Sequence, residues 1–411
     1  MAWVNWSRKS AESAIDRGPL GIDLNAGRAR AALGRLSKNK LFHLDDPHPD
    51  LALTISLEKR APEVGRAALA VWRKLPHVVC AAYLPALGQS QEWKANRLAL
   101  NAESATALAL ERLRAACAGN DIVSLALPSY LSVPQVSKLI GLAEKAKLKV
   151  RGTATTPLAL AAERATHYLY GQREEAAPEA PRTGRAIATT SVLIVDVDDH
   201  AMTAAVVRIA EEEVRTMASA AFPRVGARLW KERLLDALSD RCVRICRRDP
   251  RDNADTEQML FDQIDDAVDR ARTGQRVSLS VRSTHWYQDL IHAPAELDGF
   301  CAALCRTASE EIRNMLATLN DTDPPRAVWL THDAGRLPGL AAVLHQNMSE
   351  RTSVRVLHPE AAAAAAANLV ERWAAGELPR THLDTMIPLP PRPDARITVG
   401  PRVQQPTRRP V

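Results

Sequence analysis

From residue 20 the chain runs apolar, turns through a short polar stretch and returns in alternation: Leu20-Gly-Ile-Asp-Leu-Asn-Ala-Gly-Arg-Ala-Arg-Ala-Ala-Leu33. Alternation sends successive side chains to opposite faces, so the pattern predicts a β-hairpin. Residues 102–118 instead carry Leu108, Leu110, Leu113 and Ala116 at helical spacing. Asp121-Ile-Val-Ser-Leu-Ala-Leu-Pro128 predicts a short buried strand ended by its proline. A helix over 134–147, a strand at Leu148–Val150 and a helix over 156–170 follow, the last opened by Thr156-Pro157. Helices alternating with strands imply a parallel α/β layer.

Residues 172–190 are polar and contain prolines, hence a loop or linker. Ser191-Val-Leu-Ile-Val-Asp-Val-Asp198 then predicts a buried strand, a turn at Asp199 and His200, and a second strand through Val206, Val207 and Ile209. Helices are expected at 224–246, 254–272, 294–318 and 336–348, with strands at 276–282 and 326–330. Residues 360–375 read as a helix holding seven consecutive alanines from 361. Both halves of the chain thus open with a hairpin bearing an aspartate near its turn, Asp23 and Asp196. This weak internal duplication is the pattern of the actin-like ATPase architecture: an α/β fold of two lobes, each ribonuclease-H-like, around a cleft. The expected division is lobe I over 1–190, completed by a helix at 358–385, and lobe II over 191–357. Residues 388–411, with seven prolines and five arginines (Arg392, Arg396, Arg402, Arg408 and Arg409), are expected to be a disordered basic tail unable to add a strand.

Composition narrows the function classes. With 46% hydrophobic and 25% charged residues over 411 positions, wholesale disorder is excluded. The net charge of +6, from 54 basic and 48 acidic residues, is too thin to mark a nucleic-acid binder. No apolar run reaches the roughly 18 residues of a membrane span, and the first residues lack the apolar core of a signal peptide. Six cysteines in so long a chain imply reduced thiols and a cytoplasmic setting. Cys242/Cys246 and Cys301/Cys305 would bind zinc only if their two helices touched; packing as small hydrophobes is the expectation.

Several segments, in order, resemble the nucleotide-binding domain of the heat-shock protein 70 chaperones. Gly21-Ile-Asp-Leu24 is similar to that family's first phosphate strand. Val123-Ser-Leu-Ala-Leu-Pro-Ser-Tyr130 looks like its V-I-T-V-P-A-Y. Leu193-Ile-Val-Asp-Val197 looks like the second phosphate strand, and Val328-Trp-Leu330 to Gly335-Arg-Leu-Pro338 looks like the adenosine motif. Val225–Leu234 and Pro359-Glu-Ala361 are similar to two of its helix starts. The likeness covers about residues 18–376 and leaves no room for the family's substrate-binding domain.

The resemblance implies a nucleotide site held by Asp23, Asp196 and Arg336, the aspartates on metal-bound waters and the arginine on adenine. Turn-forming and helix-capping roles for the same three residues are an equal alternative. Around them the family's pattern is lost. Three glycines of the second phosphate turn are Asp198, Asp199 and His200; the first turn reads Asn25-Ala26-Gly27; the adenosine turn reads His332-Asp333. The positions of the family's glutamate and lysine fall on Thr156 and near Leu84, and the adenosine-side helix offers Arg270 or Arg272. Glycine lets backbone N–H groups close on phosphate, and carboxylates in the same place repel it. Asp196, Asp198, Asp199 and His200 are also donors suited to a divalent cation, but a solvated acidic turn is the simpler expectation.

These readings predict a degenerate ATPase with no catalytic residues and no metal, acting through protein partners, without membrane or nucleic acid. The alternatives are a working chaperone-type ATPase that takes ATP or ADP with Mg²⁺ at a non-standard site, and an actin-like assembly protein.

Overall fold

The computed structural model describes residues 19–34, 41–117, 120, 122–170, 189–319, 324–350, 352–378 and 381–390. The linker at 172–190 and the basic tail therefore lie largely outside the described residues. What is described is a mixed α/β protein built on two large sheets.

The first sheet has the strand order His382–Leu383, Lys149–Thr155, Ile122–Leu127, Leu20–Leu24, Arg28–Leu33, Leu41–Phe42, with Leu51–Ala52 also paired to Arg28–Leu33. The second runs Ser353–Val356, Ala327–Leu330, Thr190–Val197, Met202–Ile209, Glu213–Phe222, Met386–Pro388. Each has a central strand with an antiparallel hairpin partner on one side and two successive parallel strands on the other. The hairpins arise as the alternation requires, pairing Asp23 with Arg30 and Asp196 with Thr203. The parallel strands follow helices, because a parallel return needs a crossover.

Local chemistry sets the helix starts. Ala102–Ala116 is capped by Asn101, whose side chain accepts from Ser104 N while Ser104 Oγ accepts from Asn101 N. Val133–Lys145 opens on Ser132 and Gln135 with proline in its first turn. The single helix expected over 254–272 is two, Ala254–Asp262 and Ile264–Arg272. Between them Gln263 turns its amide onto the backbone of Ser280, donating to its carbonyl and accepting from its N–H, both at 2.9 Å. That bond pins the hairpin of Val277–Arg282 and Tyr287–His292. The helix expected over 336–348 breaks at Gly339, where φ is +79°, a value glycine reaches without strain. Among the described residues, no helix is long and apolar enough to cross a membrane.

Among the described residues, three large apolar cores hold the assembly, with a small cluster of Ala32, Ala363 and Ala364 beside them. One lies under the first sheet and one under the second. The third lies between them: Leu158 and Leu160 from helix Thr156–Tyr170, Val192 and Val207 from the second sheet, Ala362, Ala365 and Ala366 from helix Ala361–Ala374. The alanine run has a packing reason. The helix lies so close to the first sheet that Ser124 Oγ donates to the Ala366 carbonyl at 2.6 Å. A Cβ on Gly21 would lie against the backbone of Ala363 and Ala367.

The sequence boundary at 388 needs correction. Met386–Pro388 pairs antiparallel with Glu213–Arg215, Leu389 N donates to Glu212 O at 2.7 Å, and Ile387 and Leu389 are buried. Proline fails as a central strand donor but is tolerated on an edge, as here. With His382–Leu383 in the first sheet, residues 382–390 run from one sheet to the other. Ending the chain at Thr385 is therefore expected to lower stability by about 3 kcal/mol or more, from the lost burial of two aliphatic side chains. Ending it at Pro390 should leave the urea midpoint unchanged, and denaturation of the two truncations compares them directly.

Candidate functional site

The turns of the two central hairpins face each other across the space between the sheets. In the first, Asn25 Oδ1 accepts from Gly27 N at 3.0 Å and Arg28 N at 2.9 Å, and Asn25 N donates to Arg28 O at 3.0 Å. An asparagine at this position makes such an Asx-turn readily. The remaining turn donor, Ala26 N, reaches across to Asp198 Oδ2 at 3.0 Å.

Asp198 is the centre of the site. Its Oδ1 accepts from His200 N and Ala201 N, both at 2.9 Å, and its Oδ2 accepts from Ala26 N and, at 2.5 Å, from Tyr130 Oη. The carboxylate is buried and takes backbone donors from both turns. It is not the solvated acidic turn expected from the sequence: the turn folds its own anion inward, where hydrogen bonds to charged acceptors are strongest. Burial first, and then the Asp198 charge, hold the Tyr130 hydroxyl well above its ordinary range, so it remains a donor. Gly226 is needed here, since a Cβ would lie 2.8 Å from the His200 carbonyl.

Of the three predicted site residues, two meet and one does not. Asp23 and Asp196 are both buried and close enough to act on each other electrostatically. Burial, reinforced by the Asp23 charge, pushes the Asp196 carboxyl up to about 8; Thr331 Oγ1 donates to it at 2.7 Å. Burial also raises Asp23, against the pull of Arg28 and Arg30. Arg336 stands apart, forking onto Asp269 at 2.7 and 3.0 Å and reaching Asp265 at 3.5 Å. The helix that offered Arg270 or Arg272 thus turns Asp265 and Asp269 towards it.

Arg28 takes the central position. Its Nη1 donates to Asp23 at 3.0 Å and its Nε to Asp333 Oδ2 at 2.7 Å, tying the first sheet to the short helix His332–Arg336 that follows Ala327–Leu330. Arg30 makes a bidentate pair with Asp50 at 2.6 Å and donates to the Pro359 carbonyl. Burial opposes the charge on Asp333, but Arg28, the hydrogen bond from His332, Arg30 and Arg336 together outweigh it and hold the carboxyl well below the ordinary range. The sequence signal for Arg28 was available: with Arg30 it is one of two charged residues on a returning strand whose other positions are apolar. Tyr130 lay in a quoted motif but gave no sign of its partner. Thr156 bonds the Leu127 carbonyl at its helix start, and Leu84 is buried in the first core. Asp196, Asp198, Asp199 and His200 do not converge on a metal: among the described residues no three metal-binding side chains cluster.

A second tie closes the far side of the cleft. Gln258, 2% exposed, accepts from Arg73 N at 2.7 Å and donates to Leu69 O at 2.9 Å. Arg73 adds an ion pair with Glu232 and lies 4.7 Å over the Phe261 ring. Between this tie and the hairpin turns lies a cavity of about 450 Å³, lined in part by Trp72, Trp93, Gln89, His200 and Arg228.

A polyphosphate in the space between the turns would need the N–H groups of Ala26, Gly27, His200 and Ala201. Each is already donated to Asn25 or Asp198, so the residues present do not fit it. The chain matches no protein-family model, and no curated protein matches it in sequence.

Proposed function

We propose that this protein is a nucleotide-independent relative of the two-lobed actin and heat-shock 70 architecture, a cytoplasmic protein-interaction module whose cleft is fastened by its own side chains. One observation carries the reading: the Asp198 carboxylate accepts from the backbone of both turns, where that architecture places phosphate. The matching strand order of the two sheets and the shared core between them support the fold assignment. Arg28 supports the loss of chemistry, because it bridges Asp23 and Asp333 and leaves neither carboxylate free for a hydrated metal. Arg336, held by Asp269, is not free to stack on a base. With the two sheets joined by Arg28 and the 382–390 segment, and with Gln258 tying the Leu69–Arg73 segment to helix Ala254–Asp262, the module presents its outer surface to partners.

The test is calorimetric titration of the wild type and of Asp198→Gly with ADP and with inorganic phosphate in the presence of Mg²⁺. The wild type is expected to give no binding heat and to hydrolyse ATP no faster than buffer. Asp198→Gly leaves four donors unpaired and should lose about 3 kcal/mol or more of stability. It should then be stabilised by millimolar phosphate, which the wild type is not. Saturable binding of ADP by the wild type would overturn the proposal.

A further inference from the structure

Helix Ala227–Cys246 ends on two thiols. Cys242 and Cys246 lie one turn apart with their Sγ atoms 3.6 Å from each other, and Cys246 Sγ also donates to the Cys242 carbonyl at 3.3 Å. Cys242 is fully buried, whereas Cys246 is half-buried and open to solvent. Burial, with the contact to Cys246, pushes the Cys242 thiol up to about 12, so on its own it stays protonated. Exposed Arg244, Arg247 and Arg248 flank Cys246 along the chain, so its surroundings are open to solvent. The second pair is built differently. Cys301 and Cys305 are both buried, and Cys305 Sγ donates to the Pro338 carbonyl at 3.2 Å.

We infer that Cys242 and Cys246 form a peroxide-responsive dithiol, with Cys246 as the attacking group and Cys242 as the resolving one. In the first step the Cys246 sulfur gives up its proton and attacks one oxygen of a hydroperoxide. The O–O bond breaks, the departing oxygen takes a proton, and Cys246 becomes a sulfenic acid. In the second step the Cys242 sulfur attacks the Cys246 sulfur, its proton passes to the leaving hydroxide, and the S–O bond breaks. Two thiols and one hydrogen peroxide thus become one disulfide and two waters, the peroxide accepting both electrons.

Residues four apart on a helix hold their Cβ atoms about 5–6 Å apart, but a disulfide needs roughly 3.5–4.5 Å. The last turn must therefore unwind. The chain makes this a local change: Cys246 is the final helical residue, and Arg247 has already left the helix with φ at +56°. One backbone bond, Arg247 N to Val243 O at 2.9 Å, closes the end.

The test treats the full chain with hydrogen peroxide, alkylates free thiols after denaturation and digests with trypsin. The fragments Cys242–Arg244 and Ile245–Arg247 are expected as one linked species, lighter by two hydrogens and separated again by dithiothreitol. Cys301 and Cys305 should remain alkylatable. Cys246→Ser, a change at the more accessible site, should slow the oxidation of Cys242 by about tenfold or more, since a buried neutral thiol reacts poorly. In Cys242→Ala, Cys246 should be trapped as a sulfenic acid by dimedone. Recovery of Cys246 as sulfinic acid or as an intermolecular disulfide, with Cys242 still free, would overturn the proposal.

Discussion

A single methyl group at position 21 is expected to unfold this protein. Gly21 sits on the central strand of the first sheet, under helix Ala361–Ala374, and a Cβ there would lie inside contact distance of the Ala363 carbonyl and the Ala367 amide, and 2.9 Å from Ala367 Cα. All three are backbone atoms, so no rotamer change relieves the overlap. The helix must lift, and with it go the buried alanines and the bond from Ser124. Overpacking a core usually costs about 1–3 kcal/mol; displacing a whole buried helix should exceed about 4 kcal/mol. Gly21→Ala is expected to show no cooperative transition in urea, or one shifted to a much lower midpoint. Trimming the helix with Ala363→Gly should not restore it, because the overlap is with the carbonyl. Gly141→Ala and Gly299→Ala serve as controls. Both positions lie in helices with open space around the new methyl, so each should be neutral or stabilising by up to about 1 kcal/mol. A stable Gly21→Ala variant would show that the helix does not pack this closely.

The second large effect is a gain. Asp196 keeps its proton up to about pH 8 in the folded protein, because burial and the neighbouring Asp23 disfavour its charge. In the unfolded chain an aspartate ionises near its ordinary value of about 4. Between these values the folded state binds the extra proton, so stability falls as pH rises, by up to about 1.4 kcal/mol per unit. Below that window both states are protonated and above it both are ionised, so the slope vanishes on either side. Asp196→Asn keeps an acceptor for Thr331 and removes the titration. The variant should flatten the urea midpoint between pH 5 and 8 (the ~4–8 window set by these values). At the upper end it should be more stable than the wild type by at least about 2 kcal/mol. If the slope survives the substitution, the shared proton resides on Asp23 and the assignment fails.

Much of the fold was legible as periodicity. The hairpin at 20–33 and the strands at 122–127 and 190–197 were readable because each buries both faces or alternates cleanly. Glu213–Phe222 was not, because it is half-exposed along its length and its polar residues mask the period. Short edge strands such as Ser353–Val356 and Met386–Pro388 escaped too: their pairing depends on a neighbour already in place, and a proline in the second argued against it. The helix break at Gln263 also depends on a distant partner, the backbone of Ser280.

The sequence by itself determined that the second turn holds Asp198, Asp199 and His200 and no glycine. It also determined that Asp23 and Asp196 occupy equivalent hairpins. Repulsion was as far as that reading went, because local sequence shows charges and not their partners. Only the tertiary structure turned Asp198 inward to accept from Ala26, 172 residues away, and brought Arg28 to Asp333 across 305. It also sent Arg336 to Asp269, away from the two aspartates it was grouped with. The physical reason is common to all three. A buried charge is tolerable only where donors or counter-charges meet it, and which groups meet is decided by how the two sheets pack, not by neighbours along the chain.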